Sequence, residues 1–163
     1  MTENGPFMSS LFEIEPGWID YNDHLNMGYY TVLFDRAADE LWARIGFGAD
    51  YLRKTNRTTF AAEFHVRYLR EVKLADRVRC AIRIIDHDEK GFHTFQQMFR
   101  DDGTLVATGE GLSLHVDLAG PKVMPMPEAI HARIAAQATR DADLPRPEGV
   151  GRRIGIRRGG TGR

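Results

Sequence analysis

Trp18-Ile19-Asp20-Tyr21-Asn22-Asp23-His24-Leu25-Asn26-Met27-Gly28-Tyr29-Tyr30 is the stretch from which the rest of the chain is read. It gathers two carboxylates, one histidine, two carboxamides and three tyrosines. It runs straight into apolar residues at Tyr30, Leu33, Phe34, Ala37, Ala38, Leu41, Trp42 and Ile45. Their i, i+3, i+4 spacing predicts one buried face of a helix over Met27–Ile45, stopped by Gly46 and Gly48. The polar cluster therefore sits on the loop leading into that helix. The first N–H groups of a helix lack internal acceptors and carry the positive end of its dipole. Such a place suits a carbonyl oxygen that gains negative charge during a reaction.

Downstream the period changes to two. Phe60, Ala62, Phe64, Val66 and Tyr68 alternate with polar or small neighbours, which predicts a long half-buried strand from Thr58. Val78, Cys80, Ile82 and Ile84 alternate with Arg77, Arg79, Ala81 and Arg83 in a second. Phe92 to Arg100 and Thr104 to Val116 give a third and a fourth, joined by a tight turn at Asp101-Asp102-Gly103. Upstream, Ser10 to Glu15 reads as a short strand after a polar lead-in, Met1 to Ser9, and Asp50 to Lys54 as one more helical turn. Prolines 121, 125 and 127 precede a second helix, Glu128 to Ala138. The fold class is α+β, an antiparallel sheet of about five strands around one long helix. One domain over residues 1–150 and a basic tail over 151–163 account for the chain, with Ile154 and Ile156 spaced as in a strand.

The formal net charge of −1 argues against bulk nucleic-acid binding. It hides five arginines and no acid from Gly151 onward, against a body of 17 basic and 23 acidic residues. A single cysteine, Cys80, excludes an internal disulfide and fits a reducing compartment. No apolar run reaches the roughly 20 residues of a membrane span. No leader pattern opens the sequence, so the expected location is cytoplasmic. There is no Gly-rich phosphate loop, no Gly-x-Ser-x-Gly and no Cys-x-x-Cys. His65, His87, His93 and His115 lack metal-ligand spacing, so neither a metal nor a nucleotide cofactor is expected.

Asp20, His24, Asn26 and Tyr30 together resemble the signature of hotdog-fold acyl-CoA thioesterases of the 4-hydroxybenzoyl-CoA thioesterase type. Ile19-Asp20-Tyr21-Asn22 with His24 and Asn26 is most similar to the betainyl-CoA thioesterases of carnitine breakdown. Val66-Arg67-Tyr68-Leu69-Arg70 and Ala75-Asp76 extend the likeness over roughly the first 120 residues. Asp23 departs from it, standing where the family usually has Gly. The resemblance implies a hotdog fold and hydrolysis of a short or polar acyl-CoA. It makes Asp20 the catalytic carboxylate, as nucleophile or general base. It makes the backbone N–H of Met27 the oxyanion donor, and brings in His24 and Asn26 as further site residues. Coenzyme A is then part of the substrate and no other cofactor is needed. It also implies a dimer or a dimer of dimers, with Glu63 as a second acid from a neighbouring subunit.

Each of these residues has a plainer reading. Asp20 suits a turn closed on its own backbone. Asp23 is read as the helix N-cap, with Asn26 as the alternative cap, and a role for Asp23 as competing acid is left open. Trp18, Tyr21, Tyr29, Tyr30 and Trp42 are candidates to face a quaternary ammonium, Tyr21 and Tyr30 foremost, yet Tyr30 and Trp42 also fit the helix core. Arg67, Arg70 and Lys73 are candidates for the CoA phosphates, as are the tail arginines, although alternating Arg on a strand also suits a solvated face. Three rivals to hydrolysis remain open: a non-catalytic acyl-CoA-binding hotdog protein, an acyl-CoA hydratase or dehydratase on the same fold, and nucleic-acid binding by the Arg-rich tail.

Overall fold

The computed structural model describes residues 5–156. Elements in chain order are β1 (Phe7–Met8), β2 (Phe12–Glu13), a 3-10 turn (Pro16–Trp18), α1 (Met27–Ile45), α2 (Ala49–Thr55), β3 (Arg57–Tyr68), β4 (Arg77–His87), β5 (Gly91–Arg100), β6 (Leu105–Asp117), β7 (Lys122–Val123) and α3 (Glu128–Ala142). The strands form one antiparallel sheet in the order β1-β4-β5-β6-β3, with β2 also on β4 and β7 also on β6. The hotdog arrangement follows: four long strands curl around α1. Tyr30, Leu33, Phe34, Ala37, Ala38, Leu41 and Ile45 of α1 are buried against the sheet's inner face. A buried side chain of this kind contributes roughly 1.5–3 kcal/mol, so the stripe alone holds the helix in place. Gly46 ends α1 in the left-handed conformation, as its position after the last apolar residue predicts.

Two glycines on β6 give the helix its room. A Cβ on Gly109 or Gly111 would lie 2.6 or 2.7 Å from the Phe64 ring. Without those Cβ atoms Phe64 lies flat on β6 and meets Phe34 edge-on at 5.7 Å.

Several expectations are corrected. The strand expected over Ser10–Glu15 shortens to Phe12–Glu13, and the polar lead-in contains β1, paired with Ile82 and Ala81. Such two-residue strands exist only through β4 and leave no local period. The alternation along β3 is broken by a bulge between Ala61 and Glu63. Phe60 pairs with Leu114, Glu63 with Leu112 and His65 with Glu110, so Phe60 lies on the sheet's outer face. Phe64 and Val66 keep the inner one. The helix α3 runs to Ala142, four residues past its expected end. Residues 151–156 form no strand, and Ile154 and Ile156 are exposed. The tail residues Arg157, Arg158 and Arg163 lie outside the described residues.

Candidate active site

The loop before α1 is held almost entirely by backbone. Ile19 and Leu25 form a bridge, Asp20 N–H donates to His24 C=O at 2.9 Å, and Asn26 N–H to Trp18 C=O at 2.9 Å. Leu25 N–H reaches Val72 C=O at 2.7 Å and ties the loop to the segment after β3. The chain reverses at Asp23, whose φ of 60° is left-handed. Glycine adopts that conformation freely, and Asp is among the few residues that tolerate it. Asp23 therefore keeps the turn a glycine would make.

Asp23 is not the N-cap. Asn26 caps α1, its Oδ1 accepting from Gly28 N–H at 3.0 Å. The reason is register: the helix begins at Met27, and only the residue just before it can reach N2. The Met27 N–H finds no acceptor among the described residues. It therefore remains available at the positive end of a 19-residue helix. One oxygen of Asp20, Oδ1, accepts from Asn22 N–H at 2.8 Å, which is the turn-closing contact of the plainer reading. A second carboxylate oxygen is left over for other work.

The remaining predicted residues separate. His24 turns to Glu71, Nε2 to Oε2 3.8 Å, and Glu71 is the one carboxylate within 4 Å of it among the described residues. Lys73 lies 3.5 Å from the same carboxylate. Arg70 donates to Leu105 C=O at 2.9 Å. Both cations thus have partners inside the chain. Arg67 lies on the sheet's outer face, its guanidinium against Gly149. Tyr30 is buried, 5.1 Å edge-on from Tyr68, with its hydroxyl 3.4 Å from Arg70 C=O. Burial pushes that phenol up to about 12. In the single chain it packs in the core beneath Tyr68. Tyr21, in contrast, is 95 % exposed and Met27 65 %.

Of the other aromatic candidates, Trp18 stacks on Tyr29 at 5.2 Å and carries the Arg36 guanidinium over its ring at 4.9 Å. Trp42 packs on Phe92. The aromatic group the sequence did not single out is Tyr68, the last residue of β3, half-exposed and donating to Met27 C=O at 3.2 Å. Glu71 was missed as well. Tyr68 ends β3 and Glu71 follows it, and the Leu25–Val72, Tyr68–Met27 and His24–Glu71 contacts bring that segment to the motif.

Two cavities among the described residues do not include Asp20 in their linings. One, of about 680 Å³, lies by Glu63, His65, His93 and Glu110; the other, of about 640 Å³, by Lys90 and Lys122. The α1 mouth is an open surface on one chain. Among the described residues no group of three His, Cys, Asp or Glu is placed to hold a metal ion. No described helix is long and apolar enough to cross a membrane.

The family model of the Thioesterase-like superfamily matches residues 14–134, which run from just after β2 to about the middle of α3. The chain belongs to this superfamily. The betainyl-CoA thioesterase of Pseudomonas aeruginosa is 37% identical over 142 residues, 86% of this chain and 89% of that protein. An L-carnitine dehydrogenase/betainyl-CoA thioesterase of Rhizobium meliloti is 31% identical over 156 residues, which cover 95% of this chain and 31% of that longer protein. Among solved structures, the Staphylococcus aureus protein SAV2348 in complex with CoA superposes with a TM-score of 0.88 at 24% identity, over 96% of this chain and 99% of that one. At that identity the superposition speaks to the fold.

Proposed function

We propose that this thioesterase-superfamily chain hydrolyses an acyl-CoA to the free acid and CoA at the mouth of α1. The observation that carries this is the unused Met27 N–H at the start of α1, reached by the loop that holds Asp20 in a closed turn. A thioester carbonyl placed against that N–H is polarised by the helix dipole as its oxygen becomes negative. Asp20 then acts in one of two ways. Its free oxygen attacks the carbonyl carbon, expelling CoA thiolate and leaving a mixed anhydride that water opens. Alternatively it takes a proton from water, and the hydroxide attacks. Either route uses protein groups and water, with neither metal nor redox cofactor.

The acyl group we favour is betainyl. The support is the 37% identical betainyl-CoA thioesterase, together with two exposed aromatics, Tyr21 and Tyr68, beside the mouth. Aromatic faces attract a quaternary ammonium. The working form is a dimer or a dimer of dimers. β3 is an edge strand of 12 residues, with Phe60 and Leu112 exposed beside it, and such an edge invites pairing with a second copy. Pairing there would also cover the open α1 mouth. The cytoplasm, where CoA esters circulate with free thiols, suits a chain whose one cysteine is buried and unpaired.

The test is release of free thiol from a panel of betainyl, short aliphatic and aromatic CoA esters. Turnover of betainyl-CoA above the others supports the full reading. Turnover confined to other esters keeps hydrolysis and removes the betainyl assignment. Binding of CoA esters without thiol release removes hydrolysis and leaves an acyl-CoA-binding protein.

A further inference from the structure

The outer face of the sheet carries a row of side chains that crosses four strands. Arg83 on β4 pairs with Phe95 on β5, Phe95 with Glu110 on β6, and Glu110 with His65 on β3. Residues 145–156, after α3, run along this row like a strap. Arg83 begins it, donating to the carbonyls of Asp141, Leu144 and Pro145. Gly149 then passes over Phe95 with φ 100°, and Phe95 is left 1 % exposed. Gly151 N–H donates to both oxygens of Glu110, at 2.9 and 3.0 Å, while His93 Nε2 lies 2.8 Å from Glu110 Oε1. Beyond this latch the strap roofs the cavity of about 680 Å³, with Arg152 and Arg153 in its lining. The strap lies past the residues that the family model matches.

The charges at this end of the strap lack an internal use. Neither Arg152 nor Arg153 pairs with a carboxylate among the described residues. Arg67 joins them, its guanidinium against Gly149. Arg70 and Lys73, by contrast, are engaged within the chain. Two carboxylates face the cavity; Glu110 is taken by Gly151 and His93, which leaves Glu63. Position matters as much as charge. Tyr68 touches Met27, and His65 and Glu63 lie three and five residues back along the same strand. At ~3.3 Å per residue the cavity lies about 10–17 Å along β3 from the strand's Tyr68 end, on the sheet's outer face. A ligand that reaches both the cavity and the α1 mouth bends around that end of β3. The pantetheine arm of coenzyme A separates its thioester from its phosphates by a span of this order.

We propose that Arg152 and Arg153, held by the Gly151–Glu110 latch and joined by Arg67, bind the phosphates of the acyl-CoA whose thioester lies at the α1 mouth. The proposal rests on the acyl-CoA reading above. The strap sets these guanidiniums on the sheet's outer face beside the edge strand β3. Guanidinium forks match phosphate oxygens bidentately.

The test compares the full chain with the double variant Arg152→Gln/Arg153→Gln. The substrates are the acyl-CoA that the panel finds turned over and the same acyl group on pantetheine, which has no phosphate. The expected result is a fall of about tenfold in the ratio of kcat/KM for acyl-CoA to that for acyl-pantetheine, as befits loss of charge-assisted contacts. Glu110→Ala, which frees the latch, gives the same fall. An unchanged ratio in the double variant overturns the proposal while leaving hydrolysis standing. Should the wild type turn over neither thioester, the hydrolysis reading fails instead, and CoA itself is titrated by calorimetry. CoA affinity that drops in the double variant then keeps the phosphate site; affinity indifferent to the arginines, or none, removes it.

Discussion

The loop over residues 18–26 and the strap over residues 145–156 are both irregular segments pinned by backbone hydrogen bonds, yet they differ in how their bonds are distributed. In the loop most partners are close in sequence, Asp20 to His24, Trp18 to Asn26 and Asp23 to Asp20, with Leu25 to Val72 as the one distant backbone tie. In the strap they are distant: Gly151 to Glu110, and Leu144 and Pro145 to Arg83. A locally closed loop carries its geometry with it, which suits a reacting group. A strap closed on distant strands takes its geometry from the finished sheet, so it suits a contact made after the fold is complete. Damage to the loop should therefore appear in turnover, and damage beneath the strap in stability.

The largest expected effect is on the loop side. Asp20→Asn keeps a side-chain oxygen for the Asn22 N–H but removes the charge. The expected kcat loss is about 10²–10⁴-fold, the range for a positioned acid–base or nucleophilic group, with an unchanged melting temperature and retained CoA-ester binding. Thiol-release kinetics and calorimetric scanning read the two separately. A melting temperature that falls along with kcat would make Asp20 a structural turn residue and dissolve the contrast.

Next comes the strap side. Phe95→Ala empties the ground beneath Gly149. For a fully buried Phe the loss is about 3–5 kcal/mol, measured by denaturant unfolding. The kcat on acyl-pantetheine is expected to stay within about twofold, because Phe95 lies on the outer face and α1 on the inner.

That division explains what was legible in the sequence. The α1 helix was readable to the residue, because its stripe and its terminal Gly46 are local signals. The four long strands were readable from their period. The Ala61–Glu63 bulge was not, since small residues on both sides leave the hydrophobic pattern formally intact while Phe60 changes face. Asp20 and the Met27 N–H are candidates that the motif supplies, while the choice of Asn26 over Asp23 as the cap depends on where the first helical turn starts. Glu71, Tyr68 and the strap escaped because each matters through a contact made across the fold. Arg83 looked like one more solvated strand arginine and is 8 % exposed under residues 141–145.

A smaller effect tests the strap's anchor by pH. Asp141, buried behind β4, accepts from Ile84 N–H and Gln137. Burial raises its carboxyl above the ordinary 3.8, more than those bonds and the nearby Arg83 and Arg140 lower it. The unfolded chain then releases this proton first. The folded state is favoured most below the ordinary value, and stability falls as pH rises from 3.8 through the raised folded value, then levels. Asp141→Asn should flatten that decline in a series of melting temperatures above pH 3.8, and an unaltered slope would assign the decline to other groups.

The smallest expected effect returns to the loop. Asp23 occupies a left-handed position at φ 60°, where an L side chain costs roughly 1–2 kcal/mol and Asp less than most. Asp23→Gly removes that cost but loosens the unfolded chain. The net gain is expected to stay below about 1 kcal/mol, a rise of no more than roughly 2–4 °C. Turnover should remain within about twofold, because the loop's backbone bonds run through Asp20, His24, Asn26 and Trp18 and do not use the Asp23 side chain. The same variant decides between the two carboxylates. If Asp23→Gly lowers kcat as far as Asp20→Asn does, the working acid is the one at the turn's tip, and Asp20 is left with the Asn22 contact alone.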